Sequence, residues 1–365
     1  MKIMEYSVVI RTLGTAGEKY QKLLNSLKNQ TVLPKKILVY IPEGYKIPKE
    51  TIGIEEYIIS PKGMVAQRSL PFKEVNTEYI LFSDDDMFYP ETFGEKMLKA
   101  ADNLNADCIA PDFQVGVENN SFWYIVKSFL YSSTSIHQGM KWAVKIKKDA
   151  GFSRNISPQV LAMPTQSAPG GALFVKKTAY EAIHFEDERW LDKFMFASYD
   201  DQLFNYKLFL QGFKSFFVYH SGVRHLDARA SKRPDNKLRM YYKRKLLFIV
   251  WYRSIFDIDR IKLQKSIANK YPANEVAALS SKFSCICSFL FRNIIGMLPM
   301  FADVVRYRQP KYMIDYFEGF YAGYKFVQTE EYNLKSATYL VSWDFACKTT
   351  KIHFIVHIPC ITETS

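Results

Sequence analysis

Cysteine is scarce: the chain has five in 365 residues, Cys108, Cys285, Cys287, Cys347 and Cys360. That is too few and too scattered for a disulfide framework, and Cys285 with Cys287 lacks the second pair a zinc site needs. The expectation is buried, reduced thiols in a reducing compartment. The apolar core of a signal peptide is missing as well, because the run Ser7–Ile10 is short. A cytoplasmic location is the corresponding expectation. No uninterrupted run reaches the ~18 apolar residues of a membrane span. Leu246–Tyr252 is too short, and Phe283–Val305 is interrupted by Arg292, Asn293, Pro299 and Asp303. A span is not expected, although a helix lying in the membrane interface is compatible with this pattern. Acidic residues are in deficit, 37 against 49 Lys and Arg, for a net charge of +12. The excess suits nucleic acid, an anionic membrane surface or a phosphorylated substrate without choosing among them.

The chain is rich in core-forming residues. At 48% hydrophobic it is too apolar to be disordered, and its length supports one large domain with an appendage, or two. Residues 6–12, Lys36–Ile41, Glu55–Ser60 and Glu78–Phe82 read as strands. Helical spacing appears over Glu18–Gln30 and from about Val65 to Val75. Strands alternating with helices over the first 110 residues predict an open, mostly parallel α/β sheet. Ligands of such sheets sit beyond the carboxyl ends of the strands.

Ser83-Asp84-Asp85-Asp86 follows the strand Glu78–Phe82. Three adjacent carboxylates repel one another, and a hard divalent cation such as Mg²⁺ or Mn²⁺ relieves that repulsion. The plain alternative is a solvated acidic turn capping a helix that starts near Pro90. Further on, Ser167–Val175 is a glycine turn entering a strand, suited to close approach of backbone to a ligand. An acidic stretch, Phe185–Asp192, precedes a helix over Tyr199–Gln211. Asp200 and Asp201 fall in its first turn, where the helix dipole favours anions. Lys214–Tyr219 reads as a strand with His220 and His225 beyond it. Either histidine could be structural, and either could complete a cation site at Asp86.

Taken together, residues from about Ser7 to Arg253 resemble the family 2 glycosyltransferases, inverting enzymes with the GT-A fold. Leu24–Leu38 (LNSLKNQTVLPKKIL) is similar to the family's run "L-x-S-L-x-x-Q-T-x-x-P-x-x-I". Phe82–Pro90 (FSDDDMFYP) resembles its metal-binding D-x-D segment. Asp200-Asp201 with Gly212 parallels its Glu-Asp helix, with Phe204 in the Leu place and Lys207 in the Arg place. The resemblance implies that Asp86 holds Mn²⁺ or Mg²⁺ and that Asp84 reaches the ribose, with Asp85 assisting. It further implies that Thr12, Glu43, Gln67 and Arg68 line the donor site and that Asp201 is the general base. Asp200, Gly170 and Gly171 then face the acceptor. For the histidine ligand, the sequence from His225 to Ser231 fits the family better than His220 does. The chain departs from the family after the second strand, where Ile41-Pro42-Glu43-Gly44-Tyr45 replaces Asp-Asp-(Gly/Ser)-Ser, and after Thr12, where the usual Asn-Arg is missing. A UDP-sugar is the expected donor.

The implied division is a catalytic domain over 1–230, with a donor half to about 110 and an acceptor half over 111–230. A basic, aromatic-rich helical region follows over 231–329. The tail 330–365 has no assigned role, and its KIHFIVHI reads as a strand. Ser231–Lys245 holds seven Lys and Arg against one Asp and runs into an apolar helix, the composition of an interfacial membrane segment; helices packed as a pair on the catalytic domain are the equal alternative for this region. A lipid-linked glycan acceptor and peripheral attachment to the inner face of the cell membrane are the corresponding expectations. Nucleic acid is not expected, because no zinc-finger or ribonucleoprotein signature occurs. Two rival readings are a sugar-phosphate nucleotidyltransferase, using Gly14, Gly17 and Lys19 as a thin phosphate loop, and a non-catalytic nucleotide-sugar-binding protein.

Overall fold

The computed structural model describes residues 4–113, 121–155, 160–194, 199–227, 236–267 and 270–332. The KIHFIVHI segment and the start of the basic run lie outside the described residues. The strands are β1 (Tyr6–Arg11), β2 (Ile37–Pro42), β3 (Glu55–Ser60), β4 (Tyr79–Asp84), β5 (Met87–Phe88), β6 (Cys108–Pro111), β7 (Thr134–His137), β8 (Val144–Ile146), β9 (Phe152–Asn155), β10 (Ala162–Pro164), β11 (Ala172–Lys176), β12 (Ser215–Val218) and β13 (Arg224–His225). The helices are α1 (Glu18–Lys28), α2 (Met64–Arg68), α3 (Phe93–Leu104), α4 (Phe122–Ser132), α5 (Lys177–Ala182), α6 (Asp200–Leu210), α7 (Asn236–Trp251), α8 (Arg260–Ile267), α9 (Lys282–Tyr307) and α10 (Lys311–Phe326).

Eight strands form the main sheet in the order β10-β12-β6-β11-β4-β1-β2-β3. Strands β3, β2, β1 and β4 run parallel, whereas β11 is antiparallel to both β4 and β6. This is the mixed α/β architecture expected, with a mostly parallel sheet and a helical C-terminal region. The central strands are apolar on both faces because both faces are covered. Val9, Leu38, Ile80 and Phe82 point to one layer, with Leu203, Phe204 and Leu208 of α6. Val8, Ile10, Val39 and Leu81 point to the other, with Leu23, Leu24 and Leu27 of α1 and Met97 of α3. Each such side chain contributes roughly 1.5–3 kcal/mol by leaving water. Helix α6 is buried almost all round, because its other face packs Tyr206, Phe209 and Leu210 against Leu247, Trp251 and Leu263.

The helix expected over Val65–Val75 ends at Arg68. Pro71 drives the preceding residue out of helical geometry, and Phe72 takes a positive φ of 39°. Two further differences lie in the C-terminal region. Cys287 is exposed, against the expectation of buried thiols, because it faces outward on α9; Cys108 and Cys285 are buried. Helix α9 is also long and apolar enough to cross a bilayer by length and composition, which the interrupted run had argued against. Its Cys285, Phe289, Gly296, Pro299 and Met300 are nevertheless buried against the protein.

Candidate active site

The site begins where β1 and β4 end side by side. Their parallel register pairs Arg11 with Asp84, so residues that follow one strand meet those that follow the other. Arg11 Nη2 donates to Asp84 Oδ1 at 2.7 Å, and Thr12 Oγ1 donates to Asp85 Oδ2 at 2.5 Å. Burial pushes the Asp85 carboxyl up to about 6, with the Thr12 hydrogen bond opposing. The triplet does not cap α3, which starts beyond Thr92 with no side-chain cap. The chain instead turns directly into β5, which pairs antiparallel with β13 in the register His225 to Met87. That pairing sets His225 Nε2 3.1 Å from Asp86 Oδ1. His220 lies elsewhere, on a turn whose Ser221 and His220 amides donate to Asp112.

The second half of the site is delivered by the one antiparallel central strand. Because β11 runs against β4, its first residue pairs with Ser83, and the two glycines before it arrive beside the triplet. The Asp84 amide donates to the Gly171 carbonyl at 2.9 Å. A Cβ on Gly171 would stand 3.2 Å from Asp84 Oδ2, and one on Gly170 would stand 1.8 Å from Asp201 Oδ1. Asp201 itself comes from the first turn of α6, as expected. Arg68 Nη1 donates to Asp201 Oδ1 at 2.5 Å and to Asp200 Oδ2 at 2.7 Å, while its Nη2 donates to the Gly170 carbonyl at 3.2 Å. The Asp201 side chain is 39% exposed and the Asp200 side chain 5%. Burial raises the Asp200 carboxyl above the usual carboxylate range, with the charge of Arg68 opposing and that of Asp201 reinforcing the shift.

Helix α2 owes its position to a contact that the sequence did not advertise. Asp192 accepts hydrogen bonds from the Val65 and Ala66 amides at 2.9 and 2.7 Å. This fixes Gln67, whose amide nitrogen donates to Tyr40 O and Ser60 Oγ behind β2. Glu43 follows β2 and is exposed, its amide donating to Ser60 O at 2.9 Å. Lys207, in the family's Arg place, is buried and holds the wholly buried Glu188 at 3.1 Å, with Arg253 on the same carboxylate at 2.8 Å. These ion pairs anchor α6 from behind. Arg11, Asp192 and Glu188 were not singled out from the sequence. Arg11 had a signal, since it directly precedes Thr12 at a strand end.

The structure thus brings Thr12, Asp84, Asp85, Asp86 and His225 together, with Gly170 and Gly171 linking them to Arg68, Asp200 and Asp201, whereas the bonds of Gln67 and Glu43 go to Tyr40 and Ser60 at the β2–β3 end. Among the described residues no group of three or more His, Cys, Asp or Glu forms a complete cation cage. Asp86 and His225 offer one oxygen and one nitrogen. That fits an ion of the Mg²⁺ or Mn²⁺ kind, which binds through one or two protein groups and completes its shell with water and substrate phosphates.

This arrangement defines an α/β protein with an acidic cluster at its strand ends. Residues 56–160 match the model of the family described as glycosyl transferase family 2, which bears out the resemblance read from the sequence. The chain is similar to the protein called uncharacterized glycosyltransferase YwdF of Bacillus subtilis (strain 168), at 28% identity over 151 residues. That stretch is 38% of this chain and 53% of the relative, so the chain spans about half the length of the curated relative it matches. Among solved structures it is similar to GalNAc-T7 with UDP, GalNAc and Mn²⁺, at 10% identity and a TM-score of 0.44 over 73% of this chain and 55% of that one. It is also similar to TarS of S. aureus, at 14% identity and a TM-score of 0.40 over 73% of this chain and 42% of that one.

Proposed function

We propose that the chain is an inverting, divalent-metal-dependent glycosyltransferase. It moves a sugar from a nucleoside-diphosphate sugar, a UDP-sugar in the first place, to a hydroxyl of a lipid-linked cell-surface glycan at the inner face of the membrane. The observation that carries this reading is the pair Gly170–Gly171, which brings the Asp84–Asp86 triplet and the Asp200–Asp201 pair onto one stretch of bare backbone. The missing side chains let the two acidic groups stand side by side, so that one can face the donor and the other the acceptor.

Asp86 and His225 would hold the cation, which when bound supplies Lewis-acid neutralisation of the diphosphate leaving group. The chain's own residues do the rest. Arg11 holds Asp84 in place and Thr12 holds Asp85, which orients both carboxylates toward the donor. Arg68 fixes the Asp201 carboxylate while leaving it partly exposed, so that it takes the proton of the attacking hydroxyl as general base. Asp200 is turned inward, on the acceptor side, and acts through Arg68. The nucleotidyltransferase reading fits less well. The Gly14 amide already donates to Thr12 Oγ1, and a Cβ there would stand 2.3 Å from Lys46 O, so the loop is closed against its own chain.

Calorimetric titration of UDP, with GDP and CMP as comparisons, tests the donor half of the proposal. Binding of UDP should require Mn²⁺ and be lost in Asp86→Asn. In His225→Ala it should weaken at least about tenfold, whereas His220→Ala should leave it unchanged. Binding that is indifferent to Mn²⁺ in the wild type would remove the cation from the account.

A further inference from the structure

Away from this site, a cavity of about 220 Å³ opens between α4, α7 and α9. Its cations Lys147, Lys243, Arg244 and Arg292 face a single carboxylate, Asp149, and its rim is apolar. Three of the cations, Lys147, Lys243 and Arg292, have partners within the chain. Lys147 Nζ lies 3.7 Å from Asp149 Oδ2 and donates to Ser133 Oγ, and Arg292 Nη1 donates to the Asp149 carbonyl at 2.6 Å. Arg244 is different. It is only 7% exposed, its guanidinium lies over the Tyr316 ring at 4.2 Å, and its Nε has no hydrogen-bond partner among the described residues. Burial lowers its pKa, and Asp149, the one carboxylate in the lining, is already engaged by Lys147. A buried guanidinium without an anion is costly, and the simplest relief is an anion from outside.

The rim shows what carries that anion. Phe291 and Tyr131 at the mouth are 57% and 43% exposed. They continue into uncovered apolar side chains on α9 (Leu290, Ile294, Leu298) and on α4 (Phe122, Trp123). An apolar, aromatic face around a cationic hole matches the interface of an anionic bilayer, with acyl chains against the face and a headgroup in the hole.

We propose that this cavity binds the phosphate headgroup of an anionic lipid and seats α4 and α9 in the membrane surface. The site deepens the reading of a lipid-linked acceptor.

The test is flotation of the full chain with vesicles of phosphatidylcholine alone or mixed with phosphatidylglycerol, without donor or metal. Wild type should float with the mixed vesicles and remain free of the neutral ones. Arg244→Gln should weaken binding about fivefold or more. Lys147→Met, which leaves the Tyr316 stacking untouched, should do the same with an unchanged circular dichroism spectrum. Phe291→Ser with Trp123→Ser should weaken it again. Equal binding to neutral vesicles, or full binding by both cation variants, would overturn the headgroup site. Glycerol phosphate in solution binding as tightly as the vesicles would overturn the lipid source. Asp201→Asn should float like wild type, which separates failure of this site from failure of the transferase reading.

Discussion

Asp201→Asn should lower sugar-transfer turnover by about 10²–10⁴-fold, the usual contribution of a general base, and leave Mn²⁺-dependent UDP binding nearly unchanged. The fold should survive the change. Arg68 bridges two carboxylates, and removing the charge of Asp201 leaves the guanidinium still paired with the buried Asp200. The amide keeps the shape of the side chain and loses only its ability to accept a proton. Initial rates alongside calorimetric UDP binding check both halves, and wild-type turnover would remove Asp201 from its role.

Gly170→Ala is the second large effect and tests geometry rather than chemistry. The added methyl would fall 1.8 Å from Asp201 Oδ1 and 2.5 Å from Arg68 Nη2, so the carboxylate and the guanidinium must both move. Displacing a catalytic group by about 1 Å costs on the order of 10²-fold in rate, and overpacking adds roughly 1–3 kcal/mol of instability. Gly171→Ala is the contrast. Its methyl would meet Phe113 and Asp84 at 3.1 and 3.2 Å, which a small adjustment relieves, so it should be much milder. Rates and thermal melts of the two variants side by side decide the matter. Equal, near-wild-type rates would mean that the glycines are not the meeting point of the two acidic groups.

Much of this site was legible in the sequence, for reasons tied to particular residues. Strand β4 could be found because Tyr79–Phe82 is apolar throughout, and the acidic triplet stood out as a charge cluster at its end. Asp200 and Asp201 could be placed on a helix by the periodicity that follows them. The choice of His225 rested on the family resemblance, and the structure pairs that histidine with Asp86 through the β5–β13 ladder, a contact no local pattern encodes. What stayed hidden was long-range. That β11 runs against β4, and so delivers Gly170 and Gly171 to the triplet, depends on topology. So does the bridge from Arg68 to both acids across more than a hundred residues of chain. Asp192 and Glu188 read as one acidic stretch, although one positions α2 and the other is buried under α6. The C-terminal helices were expected from their aromatic composition, but the buried Arg244 among them was not, because burial of a cation has no sequence signature.

The central claim is that this site transfers a sugar with departure of a nucleoside diphosphate. The most direct measurement supplies the chain with UDP-sugars, Mn²⁺ and membranes carrying lipid-linked glycan, and identifies the released product by phosphorus NMR. The account predicts UDP, formed only in the presence of the membrane acceptor and absent with Asp201→Asn. Pyrophosphate as the product, or no acceptor-dependent release from any nucleotide sugar, would contradict it.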